Sequence, residues 1–382
     1  MLMKSLKKKV VLLGFKGDCA GRHYNKILIE MAREKKIDLI FADLGEPKNV
    51  LESLTLEETK KLIKEGIIQY LDLQNPADIK KYKNLSNIDV VFIITPDITH
   101  CGIVKDLVGK AKRIFIEKPL DSILRNVRLL EDYKDINKIV FLYDHYLGKF
   151  FDFQLKTDEW IKQEIIGKIS KIEFRLLEPE IIPHHRIAAL DTGMIHDLAS
   201  HGLAILAALP SKWAYPESII LKKIKVLKVK VAKYFKCKIK GTSFAKIDLK
   251  IPVGKNAIFC ELRVGKGVGK RVDKSLKITG SEGKIFVDIQ NYSFVISDLR
   301  KRKIQEGKLS QYFAEFFIHS AIDFKKPPSK IPGAMPFESG KEILYILDEM
   351  VWKGEPKGRF PKHPVGSSFS EIENIIEKKI KK

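Results

Sequence analysis

Lys9-Val-Val-Leu-Leu-Gly14-Phe-Lys16-Gly17-Asp18-Cys19-Ala20-Gly-Arg22 is the stretch that decides the fold. An apolar run of this length reads as a buried strand, and the glycines after it read as a tight turn. From Tyr24 to Glu34, apolar residues recur at Ile27, Leu28, Met31 and Ala32, the spacing of a helix face. Strand, glycine turn and helix make a βα unit suited to phosphate: glycine lets the backbone approach closely, and a helix N-terminus offers N–H groups without partners. Gly14, Lys16, Gly17, Asp18, Cys19 and Ala20 are therefore candidate cofactor-binding residues. The spacing is GxxGDxA and meets the general GxGxxG dinucleotide pattern only loosely, so a plain βα turn is the alternative.

Working outward, the same alternation repeats. A strand at 37–42 ends in Asp43, an acid placed to bind the ribose hydroxyls of NAD and to repel the extra phosphate of NADP. Lys16 argues the other way, so the expectation is NAD or NADP with a lean to NAD. A helical segment spans 56–66 and a short strand 67–71. Asp89 to Ile94 is a central strand broken by Thr95-Pro96, a corner that could position a nicotinamide ring, and a helix then runs from about His100 to Val108. The strand at 113–116 ends in Glu117-Lys118-Pro119. Proline stops the strand and sends Lys118 out in a fixed direction, where an amine can bind a substrate hydroxyl. After a helix at 122–133, the strand at 138–143 delivers Asp144-His145-Tyr146-Leu-Gly-Lys149. In that run Asp144 can orient a base, and His145, Tyr146 and Lys149 can donate to phosphate oxygens. Such alternation predicts a parallel, doubly wound sheet over residues 1–143.

The rhythm changes after 144, which opens a second, α+β domain running to 382. A helix at 152–164 and an alternating strand at 168–177 precede Asp191-Thr-Gly-Met-Ile-His196-Asp197-Leu-Ala-Ser-His201, the start of an apolar helix. Asp197 and His201 are four apart and share a helix face, which suits hydroxyl binding and general-base work; an i,i+4 pair that merely stabilises the helix is the alternative. Six β-prone segments between 224 and 296 predict an antiparallel sheet with one face on helices and one open, a face through which copies of the chain could associate. Between two of them, Gly265-Lys266-Gly267 and Lys270 could bring an amine to a phosphate, as could any basic hairpin. Helices at 311–323 and 338–351 follow, and their packing back onto the first domain is open. A tail helix is expected at 370–381.

Composition narrows the class. A net charge of +22 over 382 residues invites nucleic acid as a partner. The lysines are spread along the chain with no aromatic-interleaved basic motif, however, so a solvated ionic surface that attracts anionic substrates is preferred. The four cysteines have no metal-ligand spacing, and no metal site is expected. No apolar run reaches membrane-spanning length, and the basic N-terminus has no signal-peptide apolar region, so a cytoplasmic protein is expected.

With these residues placed, the chain resembles the NAD(P)-dependent sugar oxidoreductases that include glucose–fructose oxidoreductase and inositol dehydrogenase. The matching residues are Ile93-Ile-Thr95-Pro96 with His100, Glu117-Lys118-Pro119, and the Asp197/His201 helix. Gly14-x-x-Gly17-Asp18-x-Ala20-x-Arg22 and Asp144-His-Tyr-Leu-Gly-Lys149 resemble the glucose-6-phosphate dehydrogenases more specifically. The resemblance implies a Rossmann-type first domain and His201 as the base, with Asp144 orienting it. It further implies Thr95, Pro96, Glu117 and Lys118 beside the cofactor, Asp197 on sugar hydroxyls, and His145, Tyr146, Lys149 and Lys266 on the phosphate. It departs from those enzymes in length, in His196 where they carry Arg, and in the four-residue Asp197–His201 spacing. The expected reaction is oxidation of an aldose 6-phosphate at C1 to the lactone. The alternatives are oxidation of an unphosphorylated sugar, inositol or nucleotide-sugar, or NAD(P) binding without turnover by a regulator.

Overall fold

The computed structural model describes residues 7–45, 56–149, 151–178, 195–208, 219–234, 237–253, 255–266, 272–310 and 314–354. The expected tail helix, Lys270 and the 191–194 entry to the Asp197/His201 helix lie outside these residues, as do the side chains of Asp18, Lys149 and Lys266. The chain divides into two compact units, Met1–Gly148 with Tyr312–Gly340, and Lys149–Gln311 with Lys341–Lys382.

In the first unit, β1 (Lys8–Leu13), β2 (Ile37–Asp43), β3 (Ile68–Asp72), β4 (Ile88–Ile93), β5 (Ala111–Glu117) and β6 (Val140–Tyr143) form a parallel sheet in the order 6-5-4-1-2-3. A three-residue strand, Ala334–Pro336, joins antiparallel at the β6 edge. All six residues of β4 are buried, which is why Val90 to Ile93 are continuously apolar rather than alternating. Strand order reverses between β1 and β4, and a crevice at that switch point is the ligand position of this topology.

Helices follow the expected periodicity less closely. The first opens at Asp18, not Tyr24: Gly21 N already donates to Gly17 O at 3.1 Å, and the path runs through a π turn (Gly21–Asn25) into Lys26–Arg33. The stretch expected as a helix over 122–133 keeps only Leu124–Arg128, because Asp121 takes the Ile123 N–H and the Asn126 amide and tight turns follow. Pro76–Lys83 is a helix that periodicity missed, although Asn75 before Pro76 is a capping signal and accepts Ala77 N–H at 2.9 Å.

The core of this unit is completed from far downstream. Phe317, on the helix Ala314–Asp323, stacks on Tyr143 with ring centroids 3.7 Å apart and meets Phe115 edge-on at 5.2 Å. Arg113 of β5 donates to Ala321 O and Lys326 O at 3.1 and 3.0 Å and lies 3.9 Å from the Phe324 ring, which places a cation at the end of that helix.

The second unit is an eight-stranded sheet of β7 (Ile169–Glu178), β8 (Ile220–Tyr234), β9 (Cys237–Val253), β10 (Asn256–Lys266), β11 (Asp273–Gly280), β12 (Gly283–Asp288), β13 (Ser293–Asp298) and β14 (Lys303–Lys308). The order is 14-13-12-11-7-10-9-8, antiparallel throughout except for β7 beside β10. The exposed β14 has no apolar alternation to announce it, and the sequence reading left it out. Ile172, Phe174 and Leu176 of β7 face inward, while Glu173 on the other face receives Lys171 and Lys277 at 3.1 and 3.0 Å. Glu173 is thus held by one lysine of its own strand and one of the neighbouring strand.

Candidate active site

The glycine turn is locked to the switch point. Gly14 has φ +83° and donates to Ala42 O at 3.1 Å; a Cβ there would lie 2.6 Å from Ile94 O and 2.8 Å from Thr95 N. The turn thus runs against the end of β4 with no room for a side chain, the close backbone approach that a pyrophosphate cradle needs. Asp43 braces it from the β2 side by accepting Lys16 N–H at 2.9 Å and Leu44 N–H at 2.7 Å, while the Lys16 amine bonds Leu44 O and Gly45 O. Burial pushes the Asp43 carboxyl up, against the pull of those two N–H bonds. With two bonds accepted, its oxygens keep capacity for ribose hydroxyls.

Glu117 turns inward beneath the turn. It is buried, accepts the Tyr24 hydroxyl at 3.0 Å, and lies 3.6 Å from the Cys19 thiol. Burial drives its carboxyl to about 7 despite the opposing pull of Tyr24 and Lys118, and Asp144 adds to the rise. Burial first, and then Glu117, also raise Cys19, so this thiol is not an activated nucleophile. Tyr24, which the sequence reading did not single out, is thus the residue that fixes Glu117. Lys118 N donates to Tyr143 O at 3.1 Å, tying the Lys118–Pro119 corner to the end of β6.

Asp144 is fully buried, donates its N–H to Gly333 O at 2.9 Å and accepts Gly148 N–H, so the residues after it coil into the short helix His145–Lys149. The His145 ring lies 6.0 Å from that of His23, inclined by 19°, and 4.5 Å from Tyr146. His23, from the π turn after the glycines, was missed because its neighbour is far away in sequence. The structure thus brings Gly14, Gly17, Cys19, Thr95, Glu117, Lys118 and Asp144 to one edge of the first unit.

In the second unit, Asp197 belongs to a π turn (Ile195–Ala199) and His201 to the helix Ser200–Ala208. A Cβ at Gly202 would lie 2.9 Å from the Phe174 ring, so glycine lets this helix press directly onto the sheet beside His201. His201 is buried and Asp197 half-buried. His196 is buried as well, its Nδ1 has no partner among the described residues, and burial lowers it to about 4. π turns are frequent where a helix carries function, and here they occur just after the glycine turn and at the Asp197 helix. Among the described residues no cluster could hold a metal, and no helix is long and apolar enough to cross a membrane.

Residues 8–142 match the family model described as an oxidoreductase family with an NAD-binding Rossmann fold, GFO_IDH_MocA. No curated protein matches the chain. Among solved structures it is similar to a 3-ketoreductase from Actinomadura kijaniata in complex with NADP and TDP-benzene, with TM-score 0.65, 13% identity, and 91% of this chain and 98% of that one covered. It is also similar to a UDP-N-acetylglucosamine 3-dehydrogenase from Acidithiobacillus ferrooxidans (0.61, 15%, 92% and 98%). A myo-inositol dehydrogenase from Corynebacterium glutamicum gives 0.60, 16%, 91% and 97%. At these identities the likeness speaks for the fold, and it extends over both units. The family match thus covers the stretch that forms the parallel sheet of the first unit, and its description is that of an oxidoreductase family's NAD-binding Rossmann fold.

Proposed function

We propose that the chain oxidises a ring hydroxyl of a nucleotide-linked sugar or an inositol to the ketone, or runs the reverse reduction, rather than oxidising a hexose 6-phosphate at C1. Support for the oxidoreductase part comes from the family match on a crevice whose Gly14 leaves no space for a side chain. Support for the substrate comes from the full-length likeness to enzymes named for sugar-nucleotide and inositol chemistry. Bound NAD(P) supplies the hydride acceptor.

The protein's own groups do the rest. His201 takes the hydroxyl proton as hydride leaves the same carbon, and Asp144 serves as an orienting carboxylate. The Lys118 ammonium donates to the reacting oxygen and stabilises its developing negative charge. Asp197 accepts hydrogen bonds from sugar hydroxyls. His145 and Tyr146 with Lys149 bind phosphate oxygens, here those of the nucleotide diphosphate, and Lys266 adds a cation. Asp43 tilts the cofactor choice to NAD. Copies of the chain associate through the open sheet face, where Phe259 is 59% exposed. Hexose 6-phosphate is the second reading, favoured by the run Asp144–Lys149 itself.

The test is reduction of NAD⁺ and NADP⁺ with UDP-N-acetylglucosamine, a TDP-sugar, myo-inositol, glucose and glucose 6-phosphate. Turnover with a nucleotide-sugar or inositol and little with glucose 6-phosphate is expected. Turnover confined to glucose 6-phosphate would return the assignment to the second reading, and none with any compound would favour a cofactor-binding regulator.

A further inference from the structure

His100 is used by none of the roles above, yet its placement is specific. Its ring is 1% exposed at the start of the helix His100–Leu107. Nε2 lies 2.9 Å from Thr95 O and Nδ1 lies 3.0 Å from Pro119 O. Thr95 follows the end of β4, and Pro119 follows the end of β5. These two strands pair in parallel up to Ile93 opposite Ile116, and their ladder stops there. Beyond that point the two chains carry the Thr95–Pro96 corner and Lys118, and the imidazole spans them where a backbone rung is missing. Asp121 adds a second tie, accepting Cys101 N–H at 3.1 Å from the His100 helix and Ile123 N–H at 2.9 Å from the segment after β5.

We propose that His100 is a positioning residue that sets the spacing between the Thr95–Pro96 corner and Lys118, and so the alignment of the nicotinamide with the amine at the reacting oxygen. A planar ring with a nitrogen at each end can hold two carbonyl groups at a set separation. Burial favours the neutral ring, which donates its one N–H to one carbonyl and sets its other nitrogen against the second. Small displacements of a catalytic group are costly: misplacement by about 1 Å can slow a reaction by about 100-fold. The inference rests on the role given to Lys118 in the proposed function.

The test compares His100→Leu, which fills the volume without a donor, with His100→Gln, whose amide nitrogen carries two N–H groups. NADH and NADPH emission titrations serve as the binding probe, and the substrate panel above provides turnover. His100→Leu should cut kcat by at least about tenfold while NAD(P)H affinity changes less than about threefold, and His100→Gln should recover much of the loss. In a Lys118→Ala background, adding His100→Leu should slow turnover no further, because both changes act through one group. Wild-type turnover in His100→Leu, equal losses in both His100 variants, or multiplying effects with Lys118→Ala would each overturn the proposal. If Lys118→Ala alone leaves kcat unchanged, the role of Lys118 fails rather than that of His100. If no panel compound is oxidised, emission from bound NADH decides: a change in His100→Leu restored in His100→Gln supports the positioning role, and no change overturns it.

Discussion

A methyl group at Gly14 would sit 2.6 Å from the Ile94 carbonyl oxygen, on a backbone at φ +83° that costs an L-residue about 1–2 kcal/mol. Gly14→Ala should therefore lower stability by at least about 2 kcal/mol and weaken NAD(P)H binding, read by thermal unfolding and nicotinamide emission. Glu117 makes a pH-dependent contribution. Its carboxyl is raised from the ordinary 4.5 to about 7, so between those values the folded state holds a proton that the unfolded state releases. This contribution is fully present below about 4.5 and is lost as pH rises through 7, a change of about 3–4 kcal/mol. Glu117→Gln keeps an acceptor for Tyr24 and should flatten that slope in urea unfolding at pH 5 and 8; an unchanged slope would remove Glu117 as its source. His196 works in the opposite sense: lowered to about 4, it stabilises above the usual 6.5 and that contribution fades as pH falls to 4. At the proposed base, His201→Ala should keep NAD(P)H affinity and lose turnover by at least about 100-fold.

Elements owe their positions to partners that local sequence does not reveal. The helix Ala314–Asp323 carries Phe317 into the aromatic core beneath β4, β5 and β6, and Arg113 meets the carbonyl at its end. Phe317→Ala should cost about 3–5 kcal/mol in chemical unfolding, the range for a large core aromatic. β4 was legible because burial on both faces leaves a continuous apolar run, and the glycine turn because its conformation demands glycine. The 122–133 segment was misread because its apolar spacing says nothing of Asp121 capturing the Ile123 N–H. His23 beside His145, and His100 between two carbonyls, are pairings made across about 120 and 20 residues, which periodicity cannot see.

At the scale of the molecule, the first compact unit is discontinuous in sequence, closed by residues Tyr312–Gly340. A fragment ending at residue 148 lacks Phe317, the edge strand at β6 and the helix end held by Arg113. It should therefore be largely unfolded by circular dichroism, and a 312–340 peptide added in trans should restore structure. Cooperative folding of the fragment alone would contradict this. The amino-acid sequence by itself determined the alternation of strands and helices, the glycine turn, the polar residues at the strand ends and the change to a largely antiparallel sheet. These follow from side-chain periodicity and backbone sterics within a few residues. Only the tertiary structure decided that a helix 170 residues downstream completes the first core, that Glu117 turns inward to Tyr24, and that one imidazole joins two strand ends. Each of these depends on burial and hydrogen bonding between groups distant in the chain, whose energies exist only once the fold has brought them together.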